Sequence, residues 1–124
     1  MKLNTSSKQD IIPINWEMRG DWMIASTIYR QKSYAIQAKI YTENCYQAIR
    51  GGKVLKLWIK CNNTNKVIFE YDRGFNIGNL ESIESGVVKK ILNTIETIAS
   101  EMTGTIKFGY NKDWLEALKR CKTE

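Results

Sequence analysis

A chain of 124 residues that is 43% hydrophobic and 26% charged, with a single proline, has the length and composition of one globular domain, and is too apolar for a disordered segment. It contains no histidine, which excludes Ser-His-Asp and Cys-His catalysis as well as imidazole metal sites. The net charge of +6 is unevenly spread: from Arg30 to Lys66 eight bases face Glu43 alone, a run that can draw in an anionic partner or simply form a solvated surface.

Residues 1–10, MKLNTSSKQD, read as a flexible polar tail without the apolar block of a signal peptide, and residues 11–124 as a single domain. Ile12, Ile14, Trp16 and Met18 alternate with other residues as a first strand, ending at a turn over Arg19-Gly20-Asp21. Trp22 to Arg30 is a second extended run, broken by Gln31-Lys32-Ser33. Tyr34 to Tyr41 alternates, with Tyr34, Ile36, Ala38 and Ile40 on one side and Gln37, Lys39 and Tyr41 on the other. Gly51-Gly52 marks a turn, KVLKLWIK (Lys53 to Lys60) is the fourth strand, Asn62 to Lys66 a short loop, and Val67 to Asp72 the fifth strand. Beyond Arg73-Gly74 the spacing changes to three and four through Ile83, Val87, Ile91, Ile95, Ile98 and Met102. That stripe predicts a long amphipathic helix with Asn79 or Ser82 as N-cap and Gly104 as C-cap. A short strand at Ile106 to Phe108 and a terminal helix through Trp114, Leu115 and Leu118 to Lys122 complete the reading. The predicted fold is α+β: an antiparallel β-meander of about five strands packed against one long C-terminal helix, plus a short terminal helix.

No apolar run approaches the roughly 20 residues that span a bilayer, so the expectation is a soluble cytoplasmic protein with no membrane partner. Cys45, Cys61 and Cys121 stand far apart without a CxxC, which predicts reduced thiols, no zinc site and no cofactor. The sequons at Asn4 and Asn62 then carry no weight.

The fourth strand poses the functional question. Leu55, Leu57 and Ile59 fall on one side, and Val54, Lys56, Trp58 and Lys60 on the other, so a tryptophan stands between two lysines where a solvated face needs no aromatic. If the helix covers the leucines, the opposite face carries Lys56, Trp58 and Lys60 with Gln37, Lys39 and Tyr41. Exposed rings that stack bases beside lysines that neutralise phosphates make a nucleic-acid platform. On this reading Trp58 and Tyr41 stack, while Lys39, Lys56, Lys60 and Lys53 contact phosphates of single-stranded nucleic acid or a nucleotide signal. The alternative is that the same patch meets a host protein or seals a homodimer.

Glu70-Tyr71-Asp72-Arg73-Gly74 stands at the sheet-to-helix junction. Glu70 and Asp72 share a strand face, so they form either a carboxylate pair or a structural corner. In the corner reading Asp72 pairs with Arg73, Arg19 or Arg50, and Gly74 supplies an unusual backbone angle. A third, weaker pattern is Asp21 followed by Gln37-Ala38-Lys39, which resembles a metal-dependent nuclease core with a carboxylate for the cation and a lysine for the phosphate.

Taken together, GGKVLKLWIK and EYDRGF resemble a small domain family of unknown function found in Firmicute genomes and their phages, with a GG[KR]-x-x-KL segment and a closing YDRGW motif. The resemblance covers roughly Ile14 to Glu84, with Phe75 in place of the tryptophan and Asn76 in place of an aspartate. It implies no activity. It does imply a context: a phage-type accessory or anti-defence factor, non-catalytic, in the bacterial host cytosol.

Overall fold

The computed structural model of the chain describes residues 10–106. Six strands, β1 (Asn15–Arg19), β2 (Trp22–Tyr29), β3 (Lys32–Ile40), β4 (Val54–Cys61), β5 (Lys66–Asp72) and β6 (Phe75–Ile77), lie side by side in chain order, each antiparallel to the next. One helix, α1 (Gly86–Ile106), covers one face. The α+β meander therefore stands, with six strands instead of about five. The additional strand, β6, is three residues long, too short for an alternation to register.

Local chemistry sets the turns. Gly20, with φ +62°, turns β1 into β2. The β2–β3 connection comes earlier than the expected break at Gln31-Lys32-Ser33: Arg30 and Gln31, at φ +51° and +69°, form a two-residue hairpin loop, and Lys32 and Ser33 belong to β3. Two positive φ values in succession match the right-handed twist of the flanking strands. The expected strand from Ile12 begins only at Asn15. Upstream of it the chain is tied to α1 instead: the Ile12 amide donates to Thr94 Oγ1 at 2.9 Å, and that buried hydroxyl lies 2.7 Å from the Lys90 carbonyl.

The core forms between one sheet face and the helix. Met23, Ala25 and Thr27 from β2, Tyr34, Ile36 and Ala38 from β3, Leu57, Ile59 and Cys61 from β4, and Phe69 from β5 are all buried. Ile91, Leu92, Ile95, Ile98, Ala99 and Met102 of α1 close over them. The alternation expected in β4 holds from Lys56 to Lys60 but fails at its start, where Val54 is buried and Leu55 half-exposed. Lys39 pairs with Lys56 and Ile40 with Val54, so Leu55 is an extra residue in the strand. A bulge of this kind inverts the phase of everything on its far side.

The predicted helix is broken near its start. Asn79 caps not α1 but a 3-10 turn over Leu80–Glu84, its side chain accepting from the Glu81 and Ser82 amides at 3.0 and 3.2 Å. Ile83 within that turn still reaches the core. α1 begins at Gly86, whose φ of +71° a side chain would resist. Gly104 does not stop the helix, which continues to Ile106, so the strand expected from Ile106 does not start there. The terminal helix and most of the polar tail lie outside the described residues. Among the described residues no helix is long and apolar enough to cross a membrane.

Candidate functional site

The face turned away from α1 can be laid out from the strand register. One cross-strand row runs Arg19, Trp22, Lys39, Lys56, Asp72. The next runs Glu17, Ile24, Gln37, Trp58, Glu70, Ile77. A third holds Asn15, Ser26, Ala35, Lys60 and Val67. Trp58 therefore points away from the helix, half-buried, with Gln37 and Glu70 as its cross-strand neighbours. A second tryptophan, Trp22, shares the face, and Lys56 Nζ lies 5.9 Å from its ring centroid. The sequence leaves Trp22 unassigned because both sides of β2 mix apolar and polar residues, so alternation does not say which side is inside.

The lysines of the first row are compensated. Lys56 Nζ lies 3.6 Å from Asp72 and Lys39 Nζ 4.0 Å from Asp21, while Arg19 is bound to Glu17 at 2.8 Å. The face carries Arg19, Lys39, Lys56 and Lys60 against Glu17, Asp21, Glu70 and Asp72, equal numbers of each sign. Two members of the basic run, Lys39 and Lys56, are thus offset by acids from the β1–β2 turn and from β5, which only the register reveals. Lys60 forms no ion pair among the described residues.

Tyr41 and Lys53 lie beyond the paired region of β3 and β4, joined by a hydrogen bond from the Tyr41 amide to the Lys53 carbonyl at 2.8 Å. Tyr41 is 49% exposed. Lys53 Nζ donates to Asn44 at 3.0 Å, and its amide donates to the Glu96 carboxylate at 3.1 and 3.2 Å. A Cβ at Gly52 would collide with that carboxylate, so the second glycine of GGK makes room for α1 to grip the chain.

In the five-residue corner two ion pairs centre on Asp72. Asp72 reaches Lys56 and, at 4.0 Å, Arg73; Arg19 and Arg50 are elsewhere, Arg50 donating to Asn93 at 3.4 Å. The left-handed residue is Arg73, at φ +67°, and not Gly74, whose carbonyl accepts from the Asp72 amide at 2.9 Å. The Tyr71 hydroxyl donates to the Gln47 carbonyl at 3.0 Å, and Phe75 meets Tyr71 edge-on at 5.1 Å between centroids. Glu70 faces Trp58 and points with Asp72 to the open side.

For the nuclease pattern, Asp21, Gln37 and Lys39 do share a neighbourhood, but Lys39 faces Asp21 as an ion-pair partner. Among the described residues no three Asp, Glu or Cys side chains gather as metal ligands. Cys61 is a buried free thiol, held below the usual thiol range by hydrogen bonds from the Thr64 side chain and amide, with the Lys32 charge adding to them. Sequence reasoning attached no role to Cys61, and its neighbours come from a turn rather than from a motif.

No curated protein and no solved structure matches the chain. The DUF7678 domain of unknown function matches residues 21–96, from the β1–β2 turn to the glutamate that accepts from the Lys53 amide, and the chain belongs to that family.

Proposed function

We propose that this DUF7678 protein is a non-catalytic binding protein of the bacterial cytosol whose open sheet face holds a phosphate-bearing ligand, single-stranded nucleic acid or a nucleotide. The supporting observation is that Trp22 and Trp58 stand on that face among Lys39, Lys56 and Lys60, on three adjacent strands. Stacking on such a ring is worth about 1–3 kcal/mol per base. The ion pairs on the face are no obstacle, because partly exposed pairs of this kind contribute about 0–1 kcal/mol and exchange readily for a phosphate. An accessory or anti-defence role in a phage or its Firmicute host fits a small non-catalytic binder.

The test is a fluorescence-anisotropy titration of a labelled oligonucleotide with the wild type and with a Trp58→Ala, Lys56→Ala variant. The expected result is binding that weakens steeply with salt and drops at least tenfold in the variant. Unchanged affinity in the variant would remove the face from the binding site.

A second reading, a protein partner such as a host enzyme that the domain inhibits, draws on the equal numbers of positive and negative groups and on the apolar Ile24 and Ile77 two strands to either side of Trp58 in its cross-strand row. It predicts a complex that persists with little salt dependence.

A further inference from the structure

Two hairpin turns meet at one end of the sheet. The β2–β3 turn brings Arg30 and Lys32, the β4–β5 turn brings Lys60 and Lys66. The turns are clamped together: the Ser33 amide donates to Asn63 Oδ1 at 2.8 Å, the Asn62 amide to the Ser33 carbonyl at 2.8 Å, and the Asn62 side chain to Ser33 Oγ at 3.0 Å. Arg30 is laid over the Tyr29 ring, 5.2 Å from its centroid. None of the four cations forms an ion pair with a carboxylate among the described residues, whereas Lys39 and Lys56 near the opposite end both do. Half of the eight bases in the middle third of the chain are therefore collected at one end of the sheet with no ion-pair partner among the described residues.

We propose that this turn end is the phosphate anchor of the open-face ligand, with Arg30, Lys32, Lys60 and Lys66 neutralising successive phosphates of a single-stranded nucleic acid whose neighbouring bases reach Trp58. The inference rests on the nucleic-acid reading of the face. The register supplies the path. Lys60 lies on the open side two residues from Trp58, about 7 Å along the strand, so a chain held at Lys60 is within one nucleotide of the indole. Lys32 and Lys66 follow the phase of buried Tyr34 and Cys61 and stand on the other side of the same end, and Arg30, in the β2–β3 turn, lies over Tyr29, which shares the phase of Lys32. The backbone therefore crosses the end of the sheet and turns onto the open face. The field of Lys32 also reaches inward, where it adds to the forces that favour the Cys61 thiolate.

The experiment uses the full chain and a fluorescein-labelled oligothymidylate of about 12 nucleotides, within the range one small domain covers. Binding is titrated at several salt concentrations. Arg30→Asn, Lys32→Gln and Lys66→Gln are combined in one variant, asparagine being chosen because it accepts the left-handed backbone of position 30. Thermal unfolding of the variant is checked against the wild type, and a single Lys66→Glu protein serves as a second probe. The expected result is at least a tenfold loss of affinity and a salt slope shallower by about 2, since each lost contact to a single strand removes about 0.7. Lys66→Glu should lose affinity on its own. If the triple variant keeps wild-type affinity and slope while Trp58→Ala, Lys56→Ala loses binding, the anchor is wrong and the face reading survives. If the wild type binds no oligonucleotide, the anchor and the nucleic-acid reading of the face fall together.

Discussion

Glu96 shows how one side chain can account for a sequence motif. Its carboxylate accepts from the Lys53 amide, and the bare backbone of Gly52 lets it approach. The GGK segment is thereby explained as a docking point for α1, independently of any ligand. Gly52→Ala is expected to cost about 0.5–1.5 kcal/mol, by displacing the carboxylate from that part-buried amide, and Glu96→Ala a similar amount. Because both changes break one contact, the double variant should be little worse than either single one in urea unfolding. At Tyr34, burial first, then the nearby Cys61 and Tyr29, push the phenol above its usual value of 10.0. The neutral form is favoured in the folded state, so this contribution to stability is complete below the ordinary phenol range and is lost as pH rises through the raised value. Absorbance at 295 nm should show a late phenol ionisation, and Tyr34→Phe should abolish it.

At the scale of elements, the N-terminal segment and the helix are joined by Thr94, a buried hydroxyl that serves both the Ile12 amide and the Lys90 carbonyl across 82 residues of chain. Thr94→Val keeps the shape and removes the acceptor, leaving the Ile12 amide unpaired, and is expected to cost about 1–3 kcal/mol in denaturant unfolding. Much of the element pattern was legible beforehand. Tyr34, Ile36 and Ala38 alternate inward as the sequence implies, and so do Leu57 and Ile59, because a sheet with one covered face imposes period two. The misreadings have local causes. The extra residue at Leu55 inverts the phase of Val54, and Gly86 in a left-handed conformation divides a continuous apolar stripe into a 3-10 turn and a helix. Of the candidate face, Trp58, Lys39, Lys56 and Lys60 were legible, whereas Trp22 and the acids opposite the lysines were not, and Tyr41 and Lys53 lie beyond the paired strands. Those pairings depend on which strands lie together and at what register, which no periodicity encodes.

For the whole molecule, charge is segregated by end rather than by face. Lys39 and Lys56 are met by Asp21 and Asp72, while Arg30, Lys32, Lys60 and Lys66 at the clamped turns have no carboxylate partner among the described residues. A basic composition thus becomes a direction in space, and measured salt dependence should belong to that end. The topology has a different implication, for how the molecule is made. Every strand pairs with its sequence neighbour, so the hairpins can zip up in order as the chain leaves the ribosome. The cover arrives last: until the segment through Met102 has emerged, the greasy underside of the sheet, Phe69 and Met23 included, has nothing to rest on. The nascent protein therefore passes through a wet, adhesive stage that its own helix ends, and a ribosome stalled before that point would release a sticky half-product.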